Sequence, residues 1–348
     1  MSAGAWRRPT EPETETMAEP GADGPRWPAR APRMMRSSTN MTVPDDMLPK
    51  SFSTPRDGAS ASGGSSTSNT PVLFYSRQIG LNRGLAVPIR AGGRVTGRAG
   101  KFSFGGVNIE TGNEPLTGAR ATNFSVLRVK RDILRRSAIG ALFTQRSLST
   151  APTAAGGSNQ AYGLDGTFAF FSNLNINTYW AQTSTPGISQ SPFSYRGDFD
   201  YRGDRYGLEL ERLTVGEGFN PEVGFLRRQA FDRNYAYGRF SPRLHRGAAI
   251  RKLTWEGHLD HIDGRRTKRL ESRELQGGFG VELRSSDQVS VVYTRAYEYL
   301  VQPFVISPNV TIPVGGYEFT DMRATYTMGL QRPVSGVFSV QRGEFYAG

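Results

Sequence analysis

Long alternation of apolar and polar residues constrains this chain more than any other feature. From Pro71 onward the two kinds of residue exchange places with a period of two. Leu174, Ile176 and Trp180 fall on one side of an extended chain, with Asn175 and Asn177 on the other. Leu253, Trp255 and Leu259 oppose Thr254, Glu256, His258 and Asp260 in the same way. Leu275, Phe279, Val281 and Leu283 oppose Glu274, Gln276, Glu282 and Arg284. Such stretches run for about 10–14 residues. Globular strands average about 5–6, whereas a strand tilted across a bilayer needs about 9–11. The spacing therefore predicts an all-β protein: an antiparallel meander of long amphipathic strands, making part or all of an outer-membrane-type β-barrel.

The connections agree. Short turns are expected at Ser172-Asn173, Gly203-Asp204 and Ser285-Ser286-Asp287. Longer polar or Pro/Gly-rich links are expected near 149–160, 183–192, 262–269 and 301–316. Roughly a dozen or more strands fit between them, and no segment has a helical period. Mean hydropathy is −0.47, and no run approaches the roughly 20 apolar residues of a spanning helix. A membrane barrel escapes that test, because alternate residues alone face lipid.

Residues 1–70 break from this pattern. They are rich in Pro, Ser, Gly, Thr and Ala and have no periodicity, so they are expected to be a disordered or non-native segment ahead of a barrel domain at 71–348. The start lacks the apolar stretch of an export signal, and the barrel is expected to be incomplete, with an open edge prone to aggregation. Residues 1–70 carry eight basic and eight acidic residues. The net charge of +12 therefore lies wholly in 71–348. There the charges alternate with aromatic residues along strands, the pattern of a hydrated strand face and not of a nucleic-acid stripe. No nucleic-acid partner is expected.

Chemical motifs are scarce. The chain has no cysteine, which removes disulfides and thiolate metal sites. His258 and His261, two of three histidines with His245, point to opposite faces of a strand and cannot share an ion. Gly93–Phe102 echoes a phosphate loop, but Val95 stands at the first glycine position and Phe102 at the Ser/Thr position. The basic clusters at 128–136 and 265–269 read as solvated turns and loops. No catalytic, cofactor or metal residue is assigned, and no enzyme is read from the sequence.

One hairpin is specified in detail. A two-residue turn at Gly203-Asp204 would set Arg202 opposite Arg205, Tyr201 opposite Tyr206, Phe199 opposite Leu208 and Asp198 opposite Glu209. Tyr201 and Tyr206 would then lie at the membrane interface. Arg196, Asp198, Asp200, Arg202, Arg205, Glu209 and Glu211 would line a water-filled lumen, since unhydrated charges cost several kcal/mol each.

Four segments carry a family likeness. They are Phe74-Tyr75-Ser76-Arg77-Gln78-Ile79-Gly80, Arg128-Val129-Lys130-Arg131-Asp132-Ile133-Leu134-Arg135-Arg136-Ser137, Gly140-Ala141-Leu142-Phe143-Thr144 and Phe219-Asn220-Pro221-Glu222-Val223-Gly224-Phe225-Leu226-Arg227-Arg228. From about Leu73 onward the chain resembles the barrel domain of unknown function that follows a family-9-like carbohydrate-binding module in large bacterial surface proteins. The resemblance implies residence in the bacterial outer membrane, lipid as a partner, and glycans as a partner of an N-terminal module absent here. It carries over no site residue. The competing classes are a surface glycoside hydrolase component and a soluble polyanion-binding β-protein. The face that carries Trp180, Leu210 and Trp255 separates the barrel from the soluble reading.

Overall fold

The computed structural model describes residues 69–82, 84–151, 156–244, 249–307 and 310–344. The expectation for the segment before the barrel falls almost wholly outside these residues. Within them a 3₁₀ turn, Ser76–Gln78, precedes a two-stranded ribbon of β1 (Leu81–Asn82) and β2 (Leu85–Ala86). The wall follows as β3 (Ile89–Ala99), β4 (Phe102–Thr111), β5 (Thr122–Leu134), β6 (Ser137–Arg146), β7 (Asn159–Phe170), β8 (Leu174–Ser184) and β9 (Phe193–Arg202). It continues through β10 (Tyr206–Val215), β11 (Phe231–Phe240), β12 (Ile250–Gly264), β13 (Arg269–Leu283) and β14 (Gln288–Leu300). A small hairpin, β15 (Phe304–Ser307) and β16 (Val310–Ile312), decorates the next link, and β17 (Gly315–Thr327) and β18 (Val337–Gly343) complete the wall. Fourteen of these strands form one antiparallel sheet in which each neighbours the next in the chain. The sheet is open: β3 and β18 are each paired on one side.

The period-two reading holds through the register. Trp180 stands opposite Tyr195, Phe199 opposite Leu210, and Phe240 opposite Trp255, which in turn meets Phe279. Each pair lies on one face, and the polar residues between them lie on the other. Trp180, Leu210 and Trp255 share the apolar face and are 44%, 46% and 42% exposed. Apolar side chains therefore cover the outside of the wall from Phe104 in β4 to Val340 in β18. Among the described residues no helix is long and apolar enough to cross a membrane.

Three expectations are corrected here. Residues 262–269 are not a long link: β12 and β13 run 15 residues each and meet at a turn of Arg265–Lys268. The polar residues there are the ends of strands that outrun the apolar belt. The β9–β10 hairpin is also wider than a two-residue turn allows. Arg202 stands opposite Gly207, Tyr201 opposite Leu208, Phe199 opposite Leu210 and Asp198 opposite Glu211. Gly203 does not adopt the positive φ that a primed turn requires. Instead Arg239 Nη2 donates to the Gly203 carbonyl at 2.6 Å and Ser241 Oγ to that of Asp204 at 2.9 Å, so the neighbouring strand's end holds the turn open. The shift is two residues, an even number, so every strand side chain keeps its face.

The third correction concerns the inner face, which is not polar throughout. At the end where the longer links emerge it is filled by the segment 71–79 and the β10–β11 connection. Leu73, Phe74 and Ile79 pack with Phe219 and Val223 against Phe124, Val126, Tyr179, Leu213 and Val215 in one buried cluster. Val72 and Phe225 exchange backbone hydrogen bonds of 3.0 and 2.7 Å, and Tyr75 N–H donates to Val223 at 2.9 Å. A side chain at Gly224 would overlap the Val72 carbonyl, so the glycine allows this crossing. The sheet thus curls around a strap made from its own chain.

Candidate functional site

Three features of the wall could carry function: the network on its inner face, the strap, and the apolar face outside. Their geometry follows from strand register.

On the inner face, side chains two residues apart along a strand meet those directly across it, so charges of opposite sign can form ladders. Asn177 Nδ2 on β8 donates to Asp198 Oδ2 on β9 at 3.0 Å. Arg196, two residues away on β9, pairs with Asp198 at 3.5 Å and donates Nε–H to Glu211 Oε2 on β10 at 2.6 Å. Arg233 on β11 donates to the other Glu211 oxygen at 2.7 Å and makes a two-bonded contact of 2.8 Å each with Asp260 on β12. Farther on, Tyr237 donates to Glu256 at 3.0 Å, His258 Nε2 meets Glu274 at 2.8 Å, and Gln276 donates to Thr294 at 3.1 Å. The result is a polar band across β8–β14.

A second buried pair lies next along the inner face, beyond Tyr179, which stands between Asp165 and Arg196. Arg128 of β5 reaches over β6 to grip Asp165 of β7 through both carboxylate oxygens. A Cβ at Gly140 would overlap the guanidinium, so this glycine is the space through which Arg128 passes. Arg128 was expected in a solvated turn. It is buried, because its strand continues to Leu134 and its partner lies two strands away. Arg265, also expected in a loop, pairs with Asp232 at 3.0 Å.

The predicted hairpin residues separate as follows. Arg196, Asp198, Asp200, Arg202, Glu209 and Glu211 share the inner face. Asp198 is 2% exposed, so its charge is offset by Arg196 and Asn177, not by the water that the sequence reading required. Arg202 lies toward the rim and pairs with Asp200 at 3.0 Å. Arg205 leaves the set altogether. It belongs to the turn, and its guanidinium lies 5.6 Å from the Tyr206 ring and 5.2 Å from the Phe240 ring, on the apolar side. Tyr201 and Tyr206 are both on the apolar face, but they do not pair. Tyr201 faces Leu208, and Tyr206 stacks on Phe240 at 5.3 Å.

The strap is fastened by the segment 219–228. Glu222 accepts from Ser149 Oγ at 2.6 Å and from the Thr150 N–H at 2.9 Å. Asn159, wholly buried, donates to the Asn220 carbonyl at 2.8 Å and accepts from the Glu222 N–H at 3.2 Å. Here Asn, Glu and Gly do structural work, tying a connection into the wall. Sequence reasoning missed this. The signal was present in Phe219 and Val223, apolar residues in a stretch that otherwise reads as a link.

Two turns outside the strands hold perturbed carboxylates. Arg243 Nη2 donates to Asp204 Oδ1 at 2.7 Å, and this bond keeps the Asp204 carboxyl below its ordinary range. Asp287 is lowered too, first by the Gly329 N–H at 2.8 Å, then by Ser285, Tyr326 and Arg332. Among the described residues no group of three His, Asp or Glu is placed to hold a metal ion. His258 faces inward and His261 outward, as their spacing required; His245 lies outside the described residues. No family model, curated protein or solved structure matches the chain.

Proposed function

We propose that residues 71–348 form the wall of a bacterial outer-membrane β-barrel, of the kind that accompanies carbohydrate-binding modules in surface proteins. The observation that carries this reading is the reversal of the two faces. Tryptophan, leucine and phenylalanine side chains stand exposed over the sheet's outer side, while paired charges and the strap occupy its inner side. A soluble β-protein places its apolar face inward. A strand of ten residues is about 33 Å long, and at a tilt of about 40° it spans about 25 Å, the height of the apolar band of such barrels. The link with glycans rests on the sequence resemblance.

A hydrolase reading is less well supported. It needs two carboxylates free to exchange protons, whereas Asp198, Glu211 and Asp260 are each held by an arginine. Expression behind a working export signal tests the membrane reading. The protein should fractionate with the outer membrane and require detergent for extraction. A monomeric, detergent-free species with native sheet content would overturn it.

A further inference from the structure

The apolar face has a depression across β11–β13. Gly238 on β11, Gly257 on β12 and Gly277 on β13 stand directly opposite one another. Phe240, Trp255 and Phe279 form a parallel row on one side, and Ala236, Leu259 and Leu275 form another on the far side. Beside the aromatic row, Gly238 and Gly277 leave a shallow, open groove of about 700 Å³ that Val291 and Tyr293 also line and whose lining is mostly carbon. An added Cβ at Gly238 or Gly277 would meet no atom within 4 Å, so the space is open and not taken up by a neighbour.

The aromatic side of the groove continues to the rim of the wall. Tyr206, Phe240, Trp255 and Phe279 follow one another with ring centroids 5.3, 5.7 and 5.3 Å apart. At the end of this row lies Arg205, exposed, with its guanidinium over Tyr206 and Phe240. Three neighbouring arginines are engaged elsewhere, and the nearby Lys252 acts on Asp204. Arg243 is paired with Asp204, Arg251 with Glu282, and Arg239 is spent on the Gly203 carbonyl and Ser241. Among the described residues Arg205 has no carboxylate partner.

From this arrangement we infer that the groove seats one acyl chain of an anionic glycerophospholipid whose phosphate engages Arg205. The inference rests on the membrane reading above. A hydrocarbon chain in a bilayer gains nothing by leaving water, so a preferred seat must come from contact, and bare glycine backbone flanked by rings supplies it. A guanidinium held against rings at the rim lies at headgroup level. It offers a planar fork of donors that matches two phosphate oxygens. Charge at one end and an open apolar channel at the other fit a lipid better than a second protein, which would have to bury Arg205.

The test uses the full chain in vesicles and two single-tryptophan forms, one keeping Trp255 and one keeping Trp180, with the other tryptophans changed to Phe. Phosphatidylglycerol or phosphatidylcholine with brominated acyl chains is added at equal mole fraction. Trp255 should be quenched with about fivefold higher apparent affinity by the anionic lipid. Arg205→Ala should remove that preference, and Gly277→Leu should cut quenching of Trp255 by both lipids. Trp180, distant from the groove, should be quenched equally by the two. Equal quenching of Trp255 by both lipids, or a preference that survives Arg205→Ala, overturns the site and leaves the membrane reading standing. If bromine quenches neither tryptophan, the membrane reading fails and the site fails with it.

Discussion

Replacing Arg128 by Met should unfold the wall far more readily than removing its partner as well. Both side chains of the Arg128–Asp165 pair are 7% exposed, and the carboxylate receives two hydrogen bonds from the guanidinium. Arg128→Met leaves Asp165 buried against Tyr179 and Gly140 with its charge uncompensated. Breaking one side of such a pair costs about 3–5 kcal/mol. Asp165→Leu strands the guanidinium and should cost a similar amount. The double variant has an apolar pair of comparable volume and should lie within about 1 kcal/mol of the parent. The coupling energy from the cycle is therefore about 5–11 kcal/mol. Urea unfolding from lipid vesicles, followed by tryptophan fluorescence, measures all four proteins. If each single change costs under about 1 kcal/mol and the two add, the pair is solvated and the burial argument is wrong.

Other perturbations address the remaining features. Leu210→Arg places a charge in the middle of the apolar face and should cost about 2–4 kcal/mol in vesicles; equal tolerance of Leu210→Arg and Glu209→Arg in vesicles would contradict the assignment of faces. Gly224→Ala drives a methyl group into the Val72 carbonyl, so limited proteolysis should cut near residues 71–80 sooner while circular dichroism keeps the sheet signal; unchanged cleavage would show that the strap is not seated there. Asp287 has its carboxyl lowered by the Gly329 N–H, so its contribution is present above the ordinary carboxylate pKa and is lost as pH falls through that range and below it. Hydrogen exchange at residues 284–287 and 328–336 should therefore quicken on acidification, and Asp287→Asn should flatten the profile; an identical profile in the variant would refute the role.

What the sequence made legible was local. The two faces of β8, β12 and β13 follow from alternation within each strand, and alternation needs no partner to be read. Register was less accessible. The β9–β10 turn is held open by Arg239 and Ser241, more than 30 positions along the chain, so the dipeptide Gly203-Asp204 could not disclose its width. Arg205 was misplaced for the same reason, since parity counts assign a face only to residues inside a strand. Charges at strand ends, such as Asp263 and Arg269, look like loop residues until their pairing is known. The burial of Asp198 depended on side chains of β8 and on Arg196, and no single-strand pattern reveals whether a charge meets water or a partner.

The strap also says something about the order in which this protein is made whole. Each strand of the wall pairs with its neighbour in the chain, so the sheet can grow hairpin by hairpin through closures that are individually cheap in entropy. The contact between Val72 and Phe225 is of another kind, joining positions 153 residues apart. The first part of the barrel domain to be synthesised finds its seat only after β10 and β11 exist to present it. Segment 71–79 therefore reaches its final seat only once nine wall strands, β3 through β11, are in place. Its seating requires the β10–β11 connection but none of the five wall strands that follow β11.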